Sequence, residues 1–226
     1  MDTPLVLLVL FFSVILHECA HGWMAERHGD GTAREMGRIT LNPLPHIDLV
    51  GTIIVPLVLY LLPGNLLFGW AKPVPVNPYR LRDPARAQAW IAASGPGSNL
   101  LLALVCAVLA GLLAAWGGVP AAAGPGRGVG ADLHVFLYSL FYYGVFINCV
   151  LAVFNLIPIP PLDGSWLVLR WLRGPAAEAY ASIRPYGVFV VILLLNFGLG
   201  SLFGRVVSAV AGSYLALAQG VARLLG

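Results

Sequence analysis

Long apolar runs separated by short polar stretches dominate this chain. A helix needs roughly 20 mostly apolar residues to cross a bilayer. Three or four segments meet that test, at residues 4–25, 88–116, 135–157 and the shorter 186–203. The tail, 205–226, is also apolar and has two open interpretations, a further span or a helix lying along the membrane interface. The pattern therefore predicts an all-α polytopic membrane protein with about four to six transmembrane helices.

The region between the first and second predicted helices is less regular. Residues 49–70 hold a short apolar core with prolines inside it and at its end, and runs of this length are often re-entrant. GRITLNP (37–43) and GWAKPVPVNP (69–78) flank it, and their prolines suit only edge strands. We expect a short, membrane-dipping, β-hairpin-like extended region between the first helix and the helix that contains GPGSN (95–99).

Composition supports a membrane protein and excludes a nucleic-acid-binding one. Hydrophobic residues make up 59% of the chain and charged residues only 10%, against about 25% charged residues in soluble domains. The net charge of +3 is small, and no basic cluster marks a nucleic-acid surface. The first apolar run follows no basic residue and meets no small-residue cleavage site, so we expect a retained helix rather than a signal peptide.

Positive charge predicts the orientation in the membrane. Arginine and lysine concentrate at residues 27–38, 72–86 and 170–184, and such loops tend to face the cytoplasm. The N-terminus is then outside, and 49–70 must return to the side from which it came. We expect a multi-pass protein of the cell membrane.

The first apolar run ends in HECAH, which holds His17, Glu18 and His21. Positions i and i+4 share one face of a helix, so both imidazoles can bind one metal ion. Glu18 lies about 100° round the helix from His17, which is the H-E-x-x-H arrangement of zinc metalloproteases. The motif can occur by chance, but three ionisable groups inside a membrane helix are costly and favour a metal site.

Two histidines leave a catalytic zinc ion one protein ligand short. Met24 and Arg27 stand where a G-x-x-H continuation of the motif would need glycine and histidine. The best candidate is Asp163 in NLIPIPPLDG (155–164), which follows a span that runs in the same direction as the first one. Alone, Asp163 would be an ordinary turn residue; beside HECAH we expect it to be the third ligand.

The pairing of HECAH with N-x-x-P-x-P-P-L-D-G resembles the site-2 protease family of intramembrane zinc metalloproteases. GRITLNP, GWAKPVPVNP and GPGSN are similar to the corresponding stretches of its small bacterial members. The resemblance covers residues 5–175, about three quarters of the chain, and the last 40 residues show little of it. We expect a single domain over 1–226, with the C-terminal helices at 185–226.

The resemblance implies a ligand set, a catalytic pair and a class of substrate. His17, His21 and Asp163 would bind Zn²⁺, Glu18 would be the catalytic carboxylate, and the active site would lie toward the cytoplasm. Asn155 would hold substrate or stabilise the oxyanion, although a bond across helices is compatible with this role. The expected partners are a transmembrane protein substrate, the lipid bilayer and regulatory membrane proteins; the oligomeric state is open.

Several other polar residues have more than one interpretation, and the sequence is also compatible with two other functions. His46 and Asp48 could support the metal site or bind substrate, or they could cap a loop; Asn99 could cap its helix or bond to a neighbouring helix. The cysteines, Cys19, Cys106 and Cys149, are expected to be free thiols. The rival functions are a membrane metal transporter or metal-binding protein, and an inactive membrane scaffold of the same fold.

Overall fold

The computed structural model describes residues 3–61, 69–120 and 129–226, and within these ranges it is helical without a β-strand. The α-helices are α1 (Thr3–Arg27), α2 (Thr32–Glu35), α3 (Val55–Leu61), α4 (Pro84–Gly117), α5 (Val129–Asn155), α6 (Gly164–Leu169), α7 (Pro175–Ala181), α8 (Gly187–Leu194) and α9 (Gly200–Leu225). Short 3₁₀ turns lie at Leu44–His46, Pro78–Arg80 and Arg184–Tyr186, and wider π turns lie at Leu49–Ile54 and Leu195–Leu199.

In the described part of the chain, four helical stretches are long and apolar enough to cross a membrane, which confirms the predicted all-α polytopic fold. They are Thr3–Arg27, Pro84–Gly117, Asp132–Asn155 and Pro175–Leu225. The second span begins four residues before its predicted start because of its cap. The Asp83 carboxylate accepts a hydrogen bond from the Arg86 N–H, and Pro84 occupies the first helical turn, a position that suits proline.

The long helix α4 lies at the centre of the bundle and contacts α1, α5 and α9. Small residues allow these close approaches: a Cβ atom at Gly144 of α5 would lie 2.6 Å from the Cys106 sulfur of α4. Helices in membranes pack largely through such small residues. Cys106 and Cys149 are buried and Cys19 is partly buried, and all three are free thiols, as predicted.

The predicted apolar segment 186–203 is helical, but it is not one regular α-helix. Helix α8 ends at Leu194, the π turn follows, and α9 begins at Gly200. A side chain at position 200 would collide with the Leu195 carbonyl oxygen. Glycine at this position therefore permits the π turn Leu195–Leu199. The tail belongs to α9, the last part of the fourth apolar stretch. Because α9 packs beside α4 and α5, this packing argues against a helix lying along the membrane interface.

The region between α1 and α4 is irregular rather than a strand ladder. The Lys72 N–H donates to the His46 carbonyl oxygen at 2.9 Å, and the Trp70 N–H donates to the Gly51 carbonyl oxygen at 3.1 Å. Prolines at 73 and 75 have no N–H with which to extend this pairing. Residues 37–43 form bends. The expected hairpin is thus not seen in the described residues, and 62–68 lie outside them.

Two polar residues of this region hold the loop together. The Asp48 carboxylate accepts a hydrogen bond of 2.7 Å from the Gly51 N–H and caps the π turn, so the loop-cap alternative for Asp48 is right. His46 is buried, and its Nε2 lies 2.9 Å from the Thr40 carbonyl oxygen. Because a carbonyl oxygen can only accept, Nε2 carries the proton and donates it to Thr40. This hydrogen bond stabilises the loop, as the Asp48 bond does.

Asp30 joins the turn after α1 to the segment 69–77. Its buried carboxylate accepts hydrogen bonds from the Thr32 N–H at 3.0 Å and from the Asn77 N–H at 2.6 Å. Burial alone would raise the pKa of the Asp30 carboxyl, but these bonds outweigh burial and lower that pKa below its usual value. The charged form is therefore the one that the fold stabilises.

Asp30→Asn should destabilise the protein by about 1–3 kcal/mol at pH 7, because an amide replaces a charged acceptor that holds two N–H groups. A lowered pKa in the folded state stabilises the fold above the unfolded-state pKa, and this contribution disappears as the pH falls through the folded-state value. The difference between wild type and variant should therefore shrink below about pH 4. Thermal unfolding in detergent at several pH values measures it.

Asp83→Asn is the matched control, because asparagine also caps helices well and the Asp83 cap is exposed. We expect little change in unfolding temperature for this variant. A difference between wild type and Asp30→Asn that stays constant from pH 7 to the acid limit would show that the Asp30 charge does not stabilise the fold.

Candidate metal centre

Helix α1 places His17 and His21 on one buried face, one turn apart. Their Nε2 atoms are 3.0 Å from each other. Asp163 reaches the same point from the loop after α5, with its Oδ2 atom 3.1 Å from His17 Nε2 and 3.3 Å from His21 Nε2. The structure thus brings together the three residues predicted as ligands, as a cluster able to hold a metal ion.

The loop between α5 and α6 delivers Asp163 because it folds back on the end of α5. A side chain at Gly164 would collide with the Leu156 carbonyl oxygen, so only glycine allows this return. Asp163 occupies the N-cap position of α6, but its carboxylate makes no capping hydrogen bond. The side chain is therefore free to face the two imidazoles rather than its own helix.

Hydrogen bonds to the rear nitrogen of each imidazole fix which nitrogen faces the cluster. His21 Nδ1 lies 2.7 Å from the Ile91 carbonyl oxygen, and His17 Nδ1 lies 2.6 Å from Asn99 Oδ1. Both partners are acceptors, so both Nδ1 atoms carry the proton. Each Nε2 atom therefore presents a lone pair to the centre of the cluster.

The cluster then consists of three converging acceptor atoms, a combination that is unfavourable without a cation. Asp163 Oδ2 is buried and has no hydrogen-bond partner among the residues that the structure describes. Protonating one imidazole would supply a donor for only some of the three contacts, whereas a divalent cation satisfies all of them at once. Buried carboxylates are normally paired or bound to metals.

The spacing and the donor types fit Zn²⁺. Zinc binds histidine nitrogen and carboxylate oxygen at about 2.0–2.2 Å, so two ligand atoms of a tetrahedral site are about 3.3–3.5 Å apart. The observed separations of 3.0, 3.1 and 3.3 Å are close to that value. Three protein ligands leave one position open, which is the pattern of a catalytic zinc site rather than a structural one.

The stretch GPGSN lies inside α4 and packs against both histidines. A Cβ atom at Gly95 would lie 2.5 Å from His21 Nε2 and 2.6 Å from His17 Cε1, so α4 can approach only because position 95 has no side chain. Asn99 sits one turn later and contacts His17. Asn99 is therefore not a helix cap; the alternative of a bond to a neighbouring helix is right.

Glu18 and Asn155 have different surroundings. Glu18 Oε2 accepts a hydrogen bond of 2.8 Å from the Val74 N–H, which places the segment 69–77 against the predicted catalytic carboxylate. Asn155 is the last residue of α5, and its amide donates to the Leu151 carbonyl oxygen at 3.0 Å. None of the contacts recorded among the described residues joins Asn155 to the metal cluster, so its catalytic role stays a prediction.

Sequence analysis missed two polar residues behind the cluster, Ser13 of α1 and Asn148 of α5. Both are buried, and Asn148 is hydrogen-bonded to Asn99 at 2.8 Å. The sequence did offer one indication, the amide of Asn148 inside the apolar run FINCV (146–150). Polar side chains inside membrane spans usually have a partner or a function.

Comparison with known proteins gives a consistent set of relatives. The profile of Peptidase family M50 matches residues 117–195. The chain is 37% identical over 199 residues to the "Putative zinc metalloprotease YwhC" of Bacillus subtilis (strain 168). The aligned region covers 88% of this chain and 83% of the relative.

More distant relatives agree. The "Putative zinc metalloprotease Rip2" of Mycolicibacterium smegmatis is 30% identical over 191 residues, or 84% of this chain and 66% of that protein. The "Protease RseP" of Photorhabdus luminescens is 31% identical over 91 residues, or 38% of this chain and 39% of that protein. No solved structure matches significantly.

Gly95→Ala should remove most of the bound metal, because its methyl group would occupy the space of both imidazole rings. We expect near-stoichiometric zinc in the purified wild-type protein, and very little in this variant or in the double variant His17→Ala/His21→Ala. Elemental analysis by mass spectrometry after removal of loosely bound metal makes the measurement.

Gly97→Ala is the matched control, since it makes the same substitution in the same helix where a Cβ atom meets nothing within 4 Å. This variant should retain zinc at the wild-type level. Full zinc content in the double histidine variant would place the metal elsewhere in the chain.

Proposed function

This chain belongs to peptidase family M50, the site-2 protease family, and on that premise we propose that it is a zinc metalloendopeptidase that cleaves peptide bonds in or near transmembrane segments of membrane proteins. The observation on which the proposal chiefly rests is the buried triangle of His17, His21 and Asp163, with Glu18 adjacent to it in a membrane-spanning helix. The names of the relatives add protease activity and zinc as cofactor.

The position of the cluster in α1 supports cleavage within the membrane. His17 and His21 lie in the second half of a 25-residue apolar helix, and basic residues follow that helix at Arg27, Arg34 and Arg38. By the positive-inside tendency the second half of α1 is its cytoplasmic half. We therefore propose a site below the cytoplasmic surface of the cell membrane, to which water enters from that side.

The residues have distinct roles in the proposed hydrolysis. Zinc, held by His17, His21 and Asp163, would act as a Lewis acid and lower the pKa of a water molecule. Glu18 accepts the proton of the attacking water and returns it to the leaving amine. The Val74 N–H holds Glu18 Oε2, which leaves Oε1 for the proton transfer. Asn155 is proposed to hold the substrate or stabilise the oxyanion.

A transmembrane substrate must unwind locally, because the hydrogen bonds of a helix shield its peptide bonds. Extended backbone beside the site could bind the unwound chain by strand addition. The segment 69–77 offers only part of its backbone, since the Lys72 and Val74 N–H groups are already bonded and Pro73 and Pro75 have none. The substrate backbone would pair with the other backbone N–H and C=O groups of segment 69–77, or with the backbone of residues 37–43.

The rival functions differ from this proposal in their need for Glu18. A metal transporter requires ligands that release the ion, but it requires no proton acceptor beside them. An inactive scaffold of the same fold requires neither. Glu18 directly follows the predicted ligand His17, and the Val74 N–H holds its carboxylate. A general base must reach the water that it deprotonates, so the proposed hydrolysis depends on Glu18, whereas neither rival function does.

Glu18→Gln should retain zinc and lose cleavage by about 10²–10⁴-fold, because the amide keeps the size of the side chain but cannot accept the proton. Asp163→Asn should lower both zinc content and cleavage, because it weakens a ligand. The assay uses detergent-purified protein, a panel of single-span substrates and a zinc chelator as a further arm.

Glu26→Gln is the control for charge on the same helix, since Glu26 forms an exposed ion pair with Arg34, and exposed pairs contribute little. Its cleavage rate and zinc content should match those of wild type. Equal rates for wild type and Glu18→Gln would refute the mechanism, and zinc flux without cleavage in either form would support the transporter.

Topology can be tested at two highly exposed positions, Tyr79 before α4 and Trp116 at its end, whose side chains are 96% and 95% exposed. In a background without the three native cysteines, a cysteine at 79 should react only with reagents supplied from the cytoplasm. A cysteine at 116 should react from outside. Labelling of position 79 from outside would mean that the predicted orientation is wrong.

A further inference from the structure

A chain of buried polar side chains crosses the interior of the bundle behind His17. Ser13 of α1, Asn99 of α4 and Asn148 of α5 are 1%, 0% and 0% exposed. Burying amides and hydroxyls among apolar helices is costly unless each finds a partner. Three such groups from three helices therefore require an explanation beyond packing volume.

The hydrogen bonds of this chain have a fixed direction that begins at a backbone carbonyl. Asn148 Nδ2 donates to the Gly144 carbonyl oxygen at 2.8 Å and to Ser13 Oγ at 2.9 Å. Because the carbonyl can only accept, the amino group of Asn148 must point toward it. The Asn148 oxygen, Oδ1, then faces Asn99.

The same direction continues to the metal cluster. Asn99 Nδ2 donates to Asn148 Oδ1 at 2.8 Å, with a longer contact of 3.4 Å to the Ser13 carbonyl oxygen. Its own Oδ1 is thereby turned toward His17 Nδ1, 2.6 Å away. If the Asn99 amide were reversed, its NH₂ group would face Nδ1, the His17 proton would move to Nε2, and Nε2 could no longer bind a metal.

We propose that Asn148 is a positioning residue for the metal site, which acts through Asn99 to hold His17 in the tautomer and orientation that turn Nε2 toward the ion. The inference rests on the proposed zinc site. Ligating histidines commonly donate their other N–H to a fixed acceptor, which sets the tautomer and the ring orientation. Here that acceptor is itself set by a second amide on a third helix.

The two histidines are held in different ways, which makes the proposal specific. His21 Nδ1 contacts the backbone carbonyl of Ile91 directly, and a carbonyl cannot be reversed. His17 instead contacts an amide side chain that could adopt either orientation. Of the two acceptors that contact the Asn99 NH₂ group, Asn148 Oδ1 at 2.8 Å is closer than the Ser13 carbonyl oxygen at 3.4 Å. Asn148 is therefore the stronger constraint on an orientation that is ambiguous at only one of the two ligands.

Asn148→Leu removes the amide at similar volume and should weaken zinc binding about 10–100-fold. Zinc affinity is measured by chelator competition on the full chain in detergent, and thermal unfolding is measured in parallel. Asn148→Ala loses the same amide without the branched side chain, so it replaces the leucine variant if that one does not fold. Cys149→Ala is the matched control, because Cys149 is the next residue, equally buried, and packs in the apolar cluster.

A second background separates positioning from helix packing. In Asn99→Asp both carboxylate oxygens accept, so His17 Nδ1 keeps its acceptor whatever Asn148 does, and the Asn148 oxygen now faces another acceptor. Asn148→Leu should therefore cause no loss of zinc affinity in this background, and relief of the repulsion should leave affinity unchanged or higher. A role in helix packing alone would instead give the same loss in both backgrounds.

The zinc affinities of these variants decide whether Asn148 positions His17. A loss of zinc affinity with Asn148→Leu in wild type, its absence in Asn99→Asp, and normal affinity in Cys149→Ala would establish the positioning role. Wild-type zinc affinity in Asn148→Leu, or an equal loss in both backgrounds, would overturn it while the proposed function stands. A wild-type protein that binds no zinc would overturn both.

Discussion

The structure depends on the convergence of three acceptor atoms, His17 Nε2, His21 Nε2 and Asp163 Oδ2, at one buried point. Their separations of 3.0–3.3 Å are repulsive without a cation, because none of them has a proton to share when both Nδ1 atoms are protonated. The surrounding fold must therefore hold them in place before the ion binds. Helix α1 supplies two of them through its 3.6-residue period, and the loop after α5 supplies the third.

Most of the contacts that hold the two histidines in place come from α4, through a glycine and two hydrogen-bond acceptors. Gly95 leaves room for both imidazoles, the Ile91 carbonyl fixes His21, and Asn99 fixes His17. The segment 69–77 closes the other side, where the Val74 N–H meets Glu18. A buried site with these partners can keep its ligands oriented in a membrane, where unpaired polar groups are most costly.

Sequence reasoning predicted what local periodicity and topology determine. His17, Glu18 and His21 lie within five consecutive residues of one helix, so their relation follows from helix geometry alone. Asp163 followed from elimination and from two spans that run in the same direction. Asn148 was not predicted because its partners, Ser13 and Asn99, belong to other helices, and one sequence does not show which faces meet.

Elements whose shape depends on tertiary packing were also missed. GPGSN was expected near the start of a helix, but Pro96 lies inside α4; at such a position neighbouring helices can compensate for the missing N–H. The break before α9 depends on a close approach at Gly200, which apolar patterning does not reveal. The hairpin was inferred from strand-like residues between α1 and α4, where the described backbone makes isolated bonds to a loop instead.

The most direct test of the proposed metal centre is X-ray absorption spectroscopy at the zinc edge of the purified, zinc-loaded protein. We predict that only nitrogen and oxygen atoms surround the zinc ion, at about 2.0–2.1 Å, and that the spectrum also shows scattering from the outer atoms of two imidazole rings. A sulfur neighbour at about 2.3 Å would instead assign the metal to a cysteine such as Cys19. Scattering from fewer than two imidazoles would likewise contradict the ligand set His17, His21 and Asp163.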